Sequence, residues 1–191
     1  METILPYEGL PYRELLQKTY DNLASHYDAR YQTPEAHKQD KVIFDLLQPY
    51  SFLSILDLGC GTGLAVDYLR PEPHLYFGCD LSQNMISQFN KKHPQHKTSV
   101  QDCNLLNMES TDLVISLYGA ASYIDPNKYQ IIVDQATAYC LMFYKPNYLP
   151  DYYTLDCTLT DYLRLNTFGF VVPFDNFLIA SNIHEVNELV L

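Results

Sequence analysis

The chain has no tryptophan, only seven glycines, and 12 basic residues against 23 acidic ones. Its formal net charge of −11 is opposite in sign to the surface with which proteins neutralise nucleic-acid phosphates, so unaided nucleic-acid binding is disfavoured. It also lacks an apolar run near the roughly 18 residues that a membrane span needs. Its first residues carry acids where a signal peptide carries basic residues. We therefore expect no membrane insertion and no export.

Paired cysteines are missing as well. The five cysteines are an odd number, lie far apart, and never form a CxxC pair (Cys60, Cys79, Cys103, Cys140 and Cys157). This pattern favours a reducing, cytoplasmic location and gives no reason to expect a metal site. In contrast, 47% of the residues are hydrophobic and 14% aromatic. A chain of 191 residues with that composition predicts one folded domain.

The first fifty residues have helical spacing. Between Tyr12 and Tyr31 apolar and aromatic residues recur every three or four positions and predict one helix, and Glu35–Leu47 predicts a second. After Pro49, short apolar runs alternate with helical stretches. Seven runs predict strands: Ser54–Cys60, Leu75–Cys79, Thr98–Cys103, Asp112–Tyr118, Tyr139–Lys145, Phe168–Val172 and Phe177–Ser181.

Helix signals separate most of these strands. Leu64–Leu69, Ser82–Lys92 and a helix opened by Asp125-Pro126 follow the early strands, and Thr158–Asp161 matches a capping box. The alternation predicts an α/β, doubly wound, Rossmann-like and mostly parallel seven-stranded sheet. Only four residues separate the last two strands, which predicts an antiparallel C-terminal hairpin.

The sharpest signal is the segment Leu56-Asp57-Leu58-Gly59-Cys60-Gly61-Thr62-Gly63, placed between a predicted strand and a predicted helix. Its three glycines allow a tight turn and a close backbone approach to a ligand. A dinucleotide fingerprint counted from Gly59 requires glycine at position 64, which is Leu64 here. Pyrophosphate binding is therefore disfavoured, and no GK[ST] signature of a phosphate-binding loop occurs.

Two acids end the following strands. Asp80 closes the second strand, where an acid in a doubly wound sheet accepts both hydrogens of a ribose diol. Asp102 closes the third strand. Ligands of such sheets bind outside the carboxyl ends of the strands, so both acids are expected at one site.

Together with Gly78–Ser82 and Asp112–Tyr118, these motifs resemble the class I S-adenosylmethionine-dependent methyltransferases over about residues 35–181. The resemblance implies S-adenosylmethionine as cofactor and an N-terminal helical lid over residues 1–50 on a core of residues 51–191. It further implies a cofactor role for nine residues. Glycines of the loop would face the methionine part, Asp80 the ribose, and Leu81 and Asp102 the adenine (Asp57, Gly59, Cys60, Gly61, Gly63, Asp80, Leu81, Asp102, and Tyr20 of the lid).

The acceptor is less well indicated. The adenine-modifying DNA enzymes of that family carry an Asn/Asp-Pro-Pro-aromatic motif where this chain has Leu117-Tyr118-Gly119-Ala120. Tyrosines of the first helix and of the segment after the fourth strand are typical of a wall that attracts cations, but they equally fit ordinary helix packing. Weak candidates for catalysis are Tyr27, Tyr118 and His26.

The sequence therefore predicts a methyltransferase acting on a small molecule or compact polar acceptor, including cationic ones, with S-adenosylhomocysteine as product. An alternative is a module that binds the cofactor without catalysis and serves a partner protein, because the chain is short and shows no recognisable base. The sequence does not predict an oligomeric state.

Overall fold

A seven-stranded sheet forms the centre of the protein in the computed structural model, which describes residues 10–145 and 168–189. The strands are β1 Ile55–Leu58, β2 Tyr76–Asp80, β3 Lys97–Val100, β4 Thr111–Ser116, β5 Ala136–Tyr144, β6 Phe170–Phe174 and β7 Phe177–Ser181. Their spatial order is β3-β2-β1-β4-β5-β7-β6. All neighbours pair in parallel up to β5, and β7 pairs antiparallel with both β5 and β6. The predicted mostly parallel sheet with its C-terminal hairpin is confirmed.

Seven α-helices accompany the sheet in the described ranges: α1 Leu10–Leu23, α2 Tyr27–Tyr31, α3 Pro34–Leu47, α4 Leu64–Leu69, α5 Gln83–Lys92, α6 Pro126–Gln135 and α7 His184–Asn187. Three of them have side-chain caps, of which the sequence predicts those at Ser82 and Asp125. Thr33, Ser82 and Asp125 each accept a hydrogen bond from a backbone N–H of the first turn, at 3.2, 3.1 and 2.9 Å. These caps fix where α3, α5 and α6 start relative to the strand ends.

Apolar side chains fill both faces of the sheet. One cluster joins α3, α4 and α5 to the sheet through residues such as Phe44, Leu69 and Phe89. The other cluster includes Tyr129 and Ile132 of α6. This arrangement follows from parallel strands that are buried on both sides. Helix α3, which lies within the predicted lid segment 1–50, thus also belongs to the core, and the division into residues 1–50 and 51–191 stays a prediction.

Two boundaries differ from the sequence-based expectation. The single helix predicted over Tyr12–Tyr31 is divided into α1 and α2 by a turn at residues 24–26, where the Ser25 hydroxyl lies 2.6 Å from His26 Nδ1. Short polar side chains favour such turns over helix interiors. Strand β3 ends at Val100, so Asp102 does not close the strand but caps the following 3-10 helix, Cys103–Leu105. The predicted capping box at Thr158–Asp161 lies outside the described residues.

No helix among residues 10–145 and 168–189 is both long and apolar enough to cross a membrane.

Candidate functional site

A pocket lies at the carboxyl ends of β1, β2 and β4 and is covered by the N-terminal helix pair α1 and α2. This is the edge of a doubly wound sheet where ligands bind. Most of its lining comes from the end of β2 and from the segments that follow the first four strands. These residues are Gly59, Gly61, Cys79, Asp80, Leu81, Gln101, Asp102, Cys103, Asn104, Leu117, Tyr118, Ala120 and Tyr123. The helices contribute Arg13, Leu16, Tyr20, Tyr27 and Met85.

The predicted site residues divide into two groups. Six of the nine predicted cofactor residues line the pocket: Gly59, Gly61, Asp80, Leu81, Asp102 and Tyr20. Asp57, Cys60 and Gly63 are not among the lining residues. Of the three catalytic candidates, Tyr27 and Tyr118 line the pocket, whereas His26 does not.

The glycine loop, residues 59–63, needs glycine because its backbone has positive φ angles and because a Cβ at either end would clash with a neighbouring side chain. Gly59 has φ +80°, and a Cβ built there would lie 2.6 Å from Cβ of Ala120. A Cβ on Gly63, at φ +97°, would lie 2.6 Å from Cδ2 of His93. Gly61 also has a positive φ, +53°, but its Cβ would meet no atom within 4 Å. The loop is thus packed tightly at both ends and leaves open space at its middle.

Asp80 ties the glycine loop to the start of α5. Its Oδ2 accepts the N–H of Gly61 at 2.9 Å, and its Oδ1 accepts the N–H of Ser82 at 2.8 Å. The residue as a whole is half-buried and lines the pocket. Burial raises the pKa of Asp80 to about 6, although both backbone donors lower it. Near neutral pH the ionised carboxylate can accept further hydrogen bonds from a ligand.

Asp57 lies beneath the loop and is only 4% exposed. It accepts a hydrogen bond of 2.7 Å from the hydroxyl of Tyr76 on the neighbouring strand. Burial raises the pKa of Asp57 to about 7, the Tyr76 hydroxyl lowers it, and the charge of Asp80 raises it further. Asp57 thus links β1 to β2 inside the core through the Tyr76 hydroxyl.

We expect this buried acid to make the protein less stable as the pH rises from about 4 to about 7. In that window the unfolded chain has lost the Asp57 proton and the folded chain retains it, so stability falls with rising pH. The total effect is about 2 to 4 kcal/mol, because each pKa unit corresponds to about 1.4 kcal/mol. Urea unfolding of wild type and Asp57→Asn at pH 4.5 and 8 measures it.

The Asp57→Asn variant should lose the part of this pH dependence that Asp57 contributes and keep the part that comes from Asp80, since asparagine keeps an acceptor for Tyr76 without a titrating proton. Asp45→Asn, on the exposed side of α3, is the matched control and should follow the wild type. Parallel pH curves for wild type and Asp57→Asn would contradict the assignment.

Asp102 lies at the other end of the pocket, beside Arg13 of α1. The Arg13 guanidinium is 3.0 Å from Asp102 Oδ2, and the N–H of Asn104 donates to Oδ1 at 2.8 Å. Only 11% of the Asp102 side chain is exposed, against 46% for Arg13. Sequence reasoning placed Asp102 here but missed Arg13, because a single arginine on an amphipathic helix carries no motif.

Two further acids hold the helix pair over the pocket. Asp21 of α1 accepts the Ser82 hydroxyl at 2.6 Å and the N–H of Asn84 at 3.0 Å. Asp28 of α2 accepts the hydroxyl of Thr62 in the glycine loop at 2.5 Å. The two contacts use both sides of the turn at residues 24–26, which explains why one straight helix does not form here.

Aromatic rings face the space under these helices. Tyr20 and Tyr123 meet edge to face at 6.3 Å between centroids, and Tyr20 and Tyr27 lie 6.5 Å apart. Tyr118 completes the group from the segment after β4, with φ +51°. Among residues 10–145 and 168–189, no group of three or more His, Cys, Asp or Glu side chains could hold a metal ion. The pocket therefore combines carboxylates with electron-rich rings.

Comparisons with known proteins agree with this geometry. Residues 55–140 match a family model described as a methyltransferase domain. A crystal structure of magnesium protoporphyrin IX methyltransferase from Synechocystis PCC 6803 with bound SAM aligns with 91% of this chain and 97% of its own, at a TM-score of 0.65 and 16% identity. An S-adenosylmethionine-dependent methyltransferase from Mesorhizobium loti aligns with 75% of this chain and 96% of its own, at 0.62 and 15%.

Among curated proteins, the 18S rRNA (guanine-N(7))-methyltransferase of Bos taurus is 50% identical over 34 residues. That match covers 18% of this chain and 12% of the relative. The chain thus shares a short segment with this relative, and it shares the fold with the two solved structures.

Proposed function

The chain carries a methyltransferase domain on the class I S-adenosylmethionine-dependent methyltransferase fold, and from this premise we propose that it is an active methyltransferase that uses S-adenosylmethionine. The observation that carries the proposal is the position of Asp80. Its carboxylate is oriented by two backbone donors and lies at the end of β2, and the residue lines the pocket. A ribose diol needs an acceptor of this kind.

The remaining lining fits the rest of that cofactor. The open space at Gly61 allows a ligand to contact the loop backbone, where a methionine moiety would lie. Leu81 and Met85 supply apolar surface for a base, and Asp102 supplies an acceptor for its amino group. When bound, the cofactor supplies a methyl group on a positively charged sulfur, which a nucleophile takes up by in-line displacement.

The described residues of this chain would then bind, orient and shield the reactants. The contacts of Asp21 and Asp28 hold the helix pair over the pocket, which limits the access of water. His26 lies outside the pocket lining, so we assign it no role in the reaction. An acceptor that is already nucleophilic, such as a neutral amine, needs no strong base from the protein.

For the acceptor we propose a small, compact molecule whose ammonium form is attracted to this site. Two observations favour it: the net charge of −11 and the tyrosine rings that line the pocket. The bound ammonium would release its proton to water before the neutral amine takes up the methyl group. The 34-residue likeness to an rRNA methyltransferase raises RNA as another acceptor. The acidic charge of the chain weighs against RNA unless a basic partner protein supplies the contacts.

The proposal is tested by measuring methyl transfer from S-adenosylmethionine to added acceptors. Purified protein is incubated with methyl-labelled S-adenosylmethionine and panels of small amines, hydroxy compounds and structured RNA, and S-adenosylhomocysteine is measured by mass spectrometry. We expect product only with an added acceptor, and none with Asp80→Ala. Binding of the cofactor without turnover for any acceptor would instead support the non-catalytic partner module.

A further inference from the structure

A lysine outside the pocket lining joins α5 to α2 and α4. Lys92 is the last residue of α5, and its ammonium lies 3.1 Å from Asp28 Oδ2 of α2 and 3.0 Å from Asp67 Oδ2 of α4. The Lys92 side chain is 30% exposed and both acids are 36% exposed, so solvent screens this charge network only in part. Without the ammonium, the two carboxylates would repel each other across this space.

Asp28 extends this contact to the glycine loop and to the pocket. Its Oδ1 accepts the hydroxyl of Thr62 at 2.5 Å, and Thr62 is only 4% exposed. Thr62 directly follows Gly61, whose N–H donates to Asp80. Tyr27, the neighbour of Asp28 in sequence, lines the pocket. The position of Asp28 therefore affects both the loop and a residue of the pocket wall.

Helix α2 needs contacts of this kind to keep its place. It has five residues, none of them buried, and a turn at residues 24–26 separates it from α1. An isolated helix of fewer than about 12 residues is marginal in water. Helix α1 is longer, and its Leu16 is buried. Helix α2 is thus the less firmly held part of the helix pair, and its position depends on contacts with the rest of the chain.

Resting on the proposed function, we propose that Lys92 is a positioning residue for cofactor binding, which acts through Asp28 to keep α2 over the pocket. Tyr27 of α2 and two glycines of the loop line the same pocket, so both segments must be in place when the ligand binds. A protein that holds this arrangement before the ligand arrives loses less conformational entropy on binding, and its apparent affinity is higher.

The first test is the dissociation constant of S-adenosylhomocysteine, measured by calorimetry. Lys92→Gln removes the charge, and we expect binding to weaken about 5-fold, the size of one contact in a partly buried charge network. Lys92→Arg keeps the charge and can donate to both acids, so it should bind within about 2-fold of wild type. Lys91→Gln, at the preceding exposed position of α5, is the matched control for charge and should bind like the wild type.

A double variant shows whether Lys92 acts through Asp28. Asp28→Asn removes the charge of the acid but keeps an acceptor for Thr62, and we expect it to weaken binding to the same extent as Lys92→Gln. The two changes together should weaken binding no more than about 2-fold beyond either alone, because both break the same contact. Effects that multiply would mean that Lys92 acts independently of Asp28, which overturns the inference.

Trypsin distinguishes the positioning of α2 from a general loss of stability. It cleaves after Arg30 in α2 and after Lys18 in α1, and both residues are exposed. Cleavage of a folded chain requires local opening, so its rate reports how often each helix opens. In Lys92→Gln we expect cleavage after Arg30 to be at least about 3-fold faster than in wild type, and cleavage after Lys18 to be unchanged, as mass spectrometry of the fragments measures.

Equal acceleration at both sites, or wild-type affinity in Lys92→Gln, overturns the inference and leaves the proposed function intact. If Lys92→Gln does not fold, Asp28→Asn is put through the same two measurements and decides. Wild-type protein that binds neither S-adenosylmethionine nor S-adenosylhomocysteine overturns the proposed function and this inference with it.

Discussion

Replacing Asp80 with alanine should weaken the binding of S-adenosylmethionine at least about 100-fold. The variant loses the charged acceptor for the ribose diol, and each hydrogen bond to a charged group contributes about 1.5–3 kcal/mol. It also leaves the N–H groups of Gly61 and Ser82 without their partner, so the glycine loop loses its link to α5. Isothermal titration calorimetry on both proteins measures the change.

The control for this experiment is Asp45→Ala, which removes an equal charge from an exposed position of α3 and should bind like the wild type. Asp80→Asn is a more demanding variant. Its amide offers one acceptor and one donor group, so it satisfies at most one of the two backbone donors by accepting from it. We expect it to bind more weakly than wild type. Wild-type affinity in Asp80→Ala would contradict the ribose assignment.

Substitutions at Gly61 and Gly63, which lie two residues apart, should have different effects on cofactor binding and on the stability of the fold. Gly61→Leu should remove cofactor binding, by at least about 100-fold, and destabilise the fold by only about 1–2 kcal/mol, the cost of a left-handed backbone. Its side chain meets no atom of the chain within 4 Å at Cβ and extends into the ligand space. Gly63→Ala should mainly lower the stability of the fold. Its Cβ would lie 2.6 Å from His93 and 2.9 Å from Phe89, so the fold must give way.

Thermal unfolding and calorimetry on the same samples distinguish the two. Gly61→Leu should melt within a few degrees of wild type, whereas Gly63→Ala should melt about 6–12 °C lower, as expected for a loss of about 3 kcal/mol. If Gly61→Leu instead bound the cofactor normally, the ligand would not occupy the space in front of the loop. Equal melting temperatures for the two variants would contradict the packing of Gly63 against α5.

Much of the fold follows from local patterns. Short apolar runs, capping residues at Ser82 and Asp125, and a four-residue gap between the last two runs predict the sheet, two of its helices and its hairpin without tertiary information. The glycine loop and Asp80 are also local signals, because a doubly wound sheet places the carboxyl ends of its central strands side by side. The sequence by itself therefore determined the class of fold and one side of the site.

The other side was decided only by tertiary structure. Asp28 and Lys92 are 64 positions apart, and Asp102 is joined to Arg13, so no spacing rule connects them. The position of α2 after the local turn at residues 24–26 likewise involves a contact of Asp28 with Thr62 across 34 positions. Periodicity records which face of a helix is apolar, but not which strand end that helix will cover. Long-range hydrogen bonds between side chains form once packing has fixed the distances, and that information is spread over the whole chain.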